Sequence, residues 1–183
     1  MKKSIMEVTG LTIYPPQGYM VILKERDGNR WLPIFIGPAE ARNISILLQA
    51  QKFPRPLTFD LFHSLLEAAG AKIEDITVTE LKDSTFYAEV KMTISGGDTR
   101  IIDARPSDAI ALALKTNSPI YVADAVLEEA GLVGEIATPQ SDLGERLREL
   151  QQQLQEAIDQ EAYEEAARLR DQIRAIEEQM RSS

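Results

Sequence analysis

The hydrophobic spacing of this chain changes once, near residues 137–142, and the change divides it into two units. Beyond that point the apolar residues fall on two seams. Leu143, Leu147, Leu150, Leu154 and Ala157 are spaced 4, 3, 4, 3, and Ala166, Leu169, Ile173, Ile176 and Met180 are spaced 3, 4, 3, 4. Each is a single stripe at a/d spacing, so the pair reads as an antiparallel helical hairpin turning near residues 159–162. The connecting stretch, Ala137-Thr138-Pro139-Gln140-Ser141-Asp142, is small, polar and Pro-containing, as a linker is. The expected organisation is therefore a first unit over 1–136, a linker over 137–142 and a hairpin over 143–183. A hairpin of that size buries little surface alone, so self-association or a protein partner is expected to cover it.

Before the change the pattern is one of strands in runs. Residues 5–13 and 19–25 read as strands around the turn Pro15-Pro16-Gln17-Gly18. Asp27-Gly28-Asn29 turns into a third strand over 31–36, where Pro33 lacks a ladder donor and marks an edge or a bulge. Pro38 suits a first helical turn, and Ile44, Leu47 and Leu48 follow at helical spacing. A second helix is expected over 59–69, with Thr58 as N-cap, Gly70 as its stop, and Phe59, Phe62, Leu65 and Leu66 as its buried face. Three strands follow over 73–81, 85–94 and 100–103, turning at Asp83-Ser84 and Ser95-Gly96-Gly97-Asp98. A third helix over 107–115 and a short strand at 120–122 complete the unit. Strand runs with helices between them imply an α+β domain, a mixed or antiparallel sheet with flanking helices.

Charge sharpens the division. The net charge of −9 splits into −4 over residues 1–135 and −5 over the remaining 48. Such a balance excludes tight, non-specific coating of nucleic acid, which needs a basic footprint. The chain has no cysteine, so a disulfide scaffold, a thiolate metal site and a Cys nucleophile are excluded, and a reducing, cytoplasmic setting is expected. Residues 1–7 carry no apolar run of the signal-peptide kind, and no stretch of eighteen apolar residues suggests a membrane span.

Three helix starts share one design: Gly37-Pro38-Ala39-Glu40, Arg55-Pro56-Leu57-Thr58 and Arg105-Pro106-Ser107-Asp108. The simplest account is structural: Pro pre-sets the backbone while Glu40, Thr58, Ser107 and Asp108 cap or complement the helix dipole. A second account is chemical. Helix amino ends preceded by Arg55 and Arg105, with Thr58 and Ser107 hydroxyls, can bind phosphate. Glu40, Asp103 and Asp108 can hold Mg²⁺ or another divalent cation, which prefers a few carboxylates plus water. His63, the only histidine, is a candidate general base or acid, although a lone His beside an apolar face is more often a packed or surface residue.

The first unit resembles the bifunctional nuclease family of bacteria and plants. The matching segments are Ile36-Gly37-Pro38-Ala39-Glu40-Ala41, Arg55-Pro56-Leu57-Thr58 with His63 following, Thr85-Phe86-Tyr87-Ala88, and above all Ile102-Asp103-Ala104-Arg105-Pro106-Ser107-Asp108-Ala109-Ile110-Ala111-Leu112-Ala113. The second unit is similar to the UVR domain of nucleotide excision repair proteins, through Leu154, Ala157-Ile158 and Tyr163-Glu164-Glu165-Ala166-Ala167-Arg168-Leu169-Arg170-Asp171-Gln172-Ile173. The resemblance implies a nuclease acting on both DNA and RNA, with the hairpin serving protein contact or homo-oligomer formation. Within its motifs Glu40, His63, Asp103 and Asp108 would be catalytic, the three carboxylates would also be metal ligands, and Arg55, Thr58, Arg105 and Ser107 would hold phosphate. An adaptor that binds an anionic ligand or a partner protein is the alternative, since an Asp103/Arg105/Asp108 cluster equally suits an ion-pair network joining helix ends.

Overall fold

The computed structural model describes residues 2–14, 18–134, 150–155, 157, 162, 165 and 168–174. Two compact units divide the chain, Met1–Glu135 and Ile136–Ser183. The first opens with three strands, β1 (Lys3–Tyr14), β2 (Gly18–Glu25) and β3 (Arg30–Ile36). Two helices follow, α1 (Pro38–Leu48) and α2 (Thr58–Ala68). Then come β4 (Lys72–Lys82), β5 (Thr85–Thr93), β6 (Thr99–Ala104) and α3 (Pro106–Thr116). The unit closes with β7 (Ile120–Ala123), α4 (Asp124–Ala130) and β8 (Leu132–Val133).

The eight strands form one sheet in the order β6-β5-β4-β7-β1-β2-β3-β8. Every pairing is antiparallel except β4 with β7, so the sheet is mixed and the unit α+β, as its strand runs implied. That parallel pair is what β5, β6 and α3 bridge, and the bridge carries α3 to the centre of the unit. α3 is buried almost all round, through Ala109, Ile110, Ala111, Leu112 and Ala113. A helix apolar on every side must lie inside, and its alanines let α1, α2, β4 and β5 pack against it. Its Ile110 and the strand residues Leu23, Leu32, Ile76, Val78 and Val122 are fully enclosed. Each such side chain contributes about 1.5–3 kcal/mol relative to exposure.

Local chemistry sets the ends of the elements. Pro38 and Pro106 occupy first-turn positions, and Asn117 ends α3 in the left-handed region at φ +54°. Asp83 and Ser84 both have positive φ, +48° and +59°, which a two-residue hairpin between twisted strands requires. β8 pairs β3 only at Arg30 and Trp31, so Pro33 lies where β3 is the sheet's edge. Residues 15–17 of the expected first turn lie outside the described residues.

Two expectations for α2 are corrected. Leu57, rather than Thr58, is the N-cap, and its amide donates to Asp60 Oδ2 at 2.8 Å, so Asp60 takes the capping role. Phe62 and Leu65 are not buried: they are 52% and 58% exposed, and only Phe59 and Leu66 pack on the core. The period placed the helix, but α2 lies over α3 at the margin of the sheet, where only one side of its apolar stripe finds cover. α4 and β8 were not expected, because seven residues directly after a strand leave almost no periodic signal.

In the second unit residues 150–155, 157, 165 and 168–174 are helical. Leu150 and Ala157 from one helix and Leu169 and Ile173 from the other form a buried cluster, with Leu154 and Ala162 packed against it. These are residues of the two seams, and the pair of helices is the architecture their spacing implied. Leu143, Leu147, Ala166, Ile176 and Met180 lie outside the described residues.

Candidate functional site

The amino ends of α1 and α3 meet at one side chain. Arg105 is the N-cap of α3, held extended at φ −68°, ψ 142° ahead of Pro106. From there its Nε donates to Asp108 Oδ2 at 2.7 Å, and its Nη1 donates to Glu40 Oε1 at 3.0 Å. Asp108 stands in the first turn of α3 and Glu40 in that of α1, where the helix dipoles favour negative charge. The hydrogen bond and charge of Asp108, followed by those of Glu40, hold the Arg105 guanidinium above the usual arginine range. The network is open: side-chain exposure is 66% at Arg105, 44% at Asp108 and 22% at Glu40.

Beside it lies a cavity of about 410 Å³ between α2, α3 and the β5–β6 edge. Arg105, Asp108, Asp103 and Thr58 supply its polar lining, while Phe59 and Phe62 stand among its apolar walls. Asp103 reaches this position from edge strand β6, where its cross-strand neighbour is Glu89. Like charges directly opposite one another are unfavourable in a sheet, and both carboxylates are exposed, which keeps them in water.

Of the eight residues singled out in the sequence, the fold brings five together: Arg105, Asp108 and Glu40 through hydrogen bonds, with Asp103 and Thr58 on the cavity they border. The other three stand apart. His63 lines a different cavity of about 350 Å³ with Leu66, Lys72 and Ser118, and its Nε2 is 3.6 Å from Glu67 Oε1, one turn along α2. Arg55 is exposed in the loop before α2 and lines none of these cavities. Ser107 is buried beneath the first turn of α3.

The three carboxylates, as placed, do not fit a divalent cation. The Arg105 guanidinium stands at hydrogen-bond distance from Glu40 and Asp108, in the position of the positive charge they would share. Among the described residues no group of three His, Asp or Glu side chains converges as a metal site.

The sequence reading missed a second junction. Lys115 near the end of α3 donates to Asp60 at the start of α2, and that bond, with the Leu57 amide, holds the Asp60 carboxyl below the usual range. A cavity of about 380 Å³ adjoins the pair, lined also by Asn43, Gln51, Lys52 and Phe53. Nothing in one-dimensional spacing joins residues 55 apart; only the packing of α2 on α3 does.

Fold and site define an α+β domain whose helix amino ends gather carboxylate and guanidinium groups around an open cleft, followed by a helical pair. Residues 21–135 match the Bifunctional nuclease domain family, and residues 144–179 match the UvrB/uvrC motif. The chain belongs to the bifunctional nuclease domain family. An uncharacterized protein of Mycobacterium tuberculosis is 41% identical over 130 residues, covering 70% of this chain and 76% of that protein. Bifunctional nuclease 1 of Oryza sativa subsp. japonica is 26% identical over 117 residues, covering 62% of this chain and 35% of the plant protein. Bifunctional nuclease 2 of Arabidopsis thaliana is 24% identical over 183 residues, covering 87% and 56%. The match thus spans from about a third to just over half of these plant proteins. Among the described residues no helix is long and apolar enough to cross a membrane.

Proposed function

We propose that this protein is a nuclease that hydrolyses phosphodiester bonds of DNA and RNA with low sequence specificity, acting in the cytoplasm. In this reading the 143–183 hairpin makes the contact with a partner protein or with a second copy. The observation that carries the catalytic reading is the solvent-open Glu40–Arg105–Asp108 network bordering a cleft that Asp103 and Thr58 also line. A guanidinium that holds carboxylates can hold phosphate oxygens in the same planar geometry. When phosphate takes the place of Asp108 at Arg105, the released carboxylate stands beside the phosphorus and accepts a proton from the attacking water; as the new P–O bond forms, the bond to the departing nucleoside oxygen breaks, and that oxygen takes its proton from water in the open cleft. Thr58 donates its hydroxyl to a further phosphate oxygen, and Asp103 stands at the rim as a second proton acceptor. His63, in its separate cavity, has no part in this step.

One observation favours the adaptor reading: Arg105 already spends both edges of its guanidinium on carboxylates, as a purely structural tie would. Purified protein assayed on single-stranded DNA and RNA, with and without Mg²⁺, separates the two. The nuclease reading expects cleavage by the parent, a loss of at least about 100-fold in Asp108→Ala and near-parental rates in His63→Ala. A folded Asp108→Ala protein that cleaves as fast as the parent refutes the assignment. A folded parent that cleaves neither substrate leaves the adaptor.

A further inference from the structure

The 380 Å³ cavity beside the Lys115–Asp60 pair is lined by groups of three kinds. Its rings are Phe53, 43% exposed, and the half-buried Phe59. Ile46 of α1 and Leu114 of α3 add aliphatic surface. Its charges are Lys52, Lys115 and Asp60, two positive against one negative, in a unit whose net charge is −4. Lys115 is already bound to Asp60, so Lys52 is the uncompensated charge. It has no hydrogen-bond or ion-pair partner among the described residues, and the Asn43 amide of the same lining has none either. The loop owes its place to the end of α1, where Gln51 N donates to Ile46 O at 3.1 Å and Ala50 N to Leu47 O at 3.2 Å. That closure puts Ala50 at φ +49°, a position usually taken by glycine, and turns the chain so that Lys52 and Phe53 reach the cavity.

This lining selects its ligand. A purely apolar molecule leaves Lys52 and Asn43 without a use, and a small inorganic anion leaves the two rings without one. A nucleotide answers all three kinds of group. Its base has flat faces for an aromatic side chain and polar edges for an amide, and its phosphate takes an ammonium. The volume lies within the range of small-ligand sites. Position ties the cavity to the first site: Thr58 and Phe59 line both this cavity and the Arg105 cleft, so the first turn of α2 is a wall common to the two. Building on the nuclease reading, we propose that the cavity is a subsite for one unstacked nucleotide of a single strand whose neighbouring phosphate lies at Arg105. A base paired and stacked in a duplex cannot enter it, so the subsite makes the protein selective for single-stranded substrate.

Binding measured apart from cleavage tests this. The probe is a fluorescein-labelled single-stranded DNA hexamer with cleavage-resistant phosphorothioate linkages, titrated with the full-length chain and read by fluorescence anisotropy. Phe53→Ala should weaken binding by at least about fivefold, and Phe53→Tyr, which keeps a ring, should bind as the parent does. Lys52→Gln should reduce the slope of log K against log salt by about 0.7, the share of one phosphate contact on a single strand. Lys24→Gln, exposed on β2 and outside these cavities, should leave that slope unchanged. A labelled hairpin duplex should bind at least about tenfold more weakly than the single strand. Lys52 and Phe53 are both exposed, so far-UV circular dichroism of their variants should match the parent. If Phe53→Ala and Lys52→Gln bind like a parent that cleaves, the subsite falls and the nuclease stands. Binding that depends on both residues in a parent that cleaves nothing upholds the nucleotide subsite and overturns the nuclease. Adenosine 5′-monophosphate that displaces the probe as readily as unlabelled hexamer assigns the cavity to a free nucleotide and overturns its place on the strand. A duplex bound as tightly as the single strand overturns the proposal, as does a parent that binds no hexamer.

Discussion

Acid should dismantle the frame of the first unit through one identifiable carboxylate. Glu25 ends β2 and Arg30 begins β3, so their ion pair closes the hairpin around Asp27-Gly28-Asn29. Arg30 Nε donates to Glu25 Oε2 at 3.0 Å and Nη2 to Ser4 Oγ at 2.8 Å, while Ser4 donates to Asp124 Oδ1 at 2.8 Å. One guanidinium thereby links β1, β2, β3 and α4. The hydrogen bond from Arg30, partly offset by burial, lowers the Glu25 carboxyl from 4.5 to about 2. Because the folded value is depressed, the stabilisation is present above pH 4.5 and is lost as pH falls from there towards 2. Converted in full, the difference is about 3 kcal/mol; with side chains 15% and 27% exposed, screening reduces the expected value to about 1–2 kcal/mol. Arg30→Met should therefore lower Tm by about 4–8 °C at pH 7. Its deficit relative to the parent should shrink by more than half at pH 3, since the unfolded chain by then binds the proton that the folded parent refuses. Thermal denaturation of both proteins at the two pH values measures this. A deficit equal at pH 3 and pH 7, or none at pH 7, refutes the reasoning.

Two further outcomes follow from the site and from one turn. Arg105→Ala should cut nuclease activity by about 10²–10³-fold while moving Tm by no more than a few degrees, because exposed pairs stabilise little; equal loss of both would mark the network as structural. Ser84→Gly should raise Tm by about 1–3 °C, since Ser84 is held at φ +59° where glycine is at ease; no change in differential scanning calorimetry counts against the strain.

Where the fold was legible, each signal was local. Pro38 and Pro106 start helices because their backbone is preset, and Gly70 follows α2 at φ +62° because few other residues stand there without strain. The seams of the second unit survive in the buried Leu150, Ala157, Leu169 and Ile173 because packing of two helices leaves one stripe each. Burial of α2 was misread because periodicity reports which residues share a side, not whether anything covers that side. Phe62 and Leu65 lie on the same stripe as Phe59 and Leu66 yet are left more than half exposed. The site was legible in part for the same reason. Arg105 and Asp108 are three apart and meet within one helical turn, whereas Glu40 joins them across 65 residues only because α1 packs on α3.

His63 shows the opposite limit. It shares a helix with Thr58, and five residues along a helix turn a side chain through about 140° and advance it about 7.5 Å. That displacement is enough to put Thr58 on the cavity beside Arg105 and His63 on another beside Glu67. The net charge is likewise resolved by position. In the proposed nuclease an anionic substrate would meet repulsion from the unit as a whole, but Arg105 offers a guanidinium whose carboxylate partners are already paired and whose exposure admits exchange. Phosphate that replaces Asp108 there trades one anion for another at the same donor, so binding requires local fit and gains little from long-range attraction. An acidic protein that works on nucleic acid in this way holds it at a few phosphates, and its affinity should fall only gently with salt.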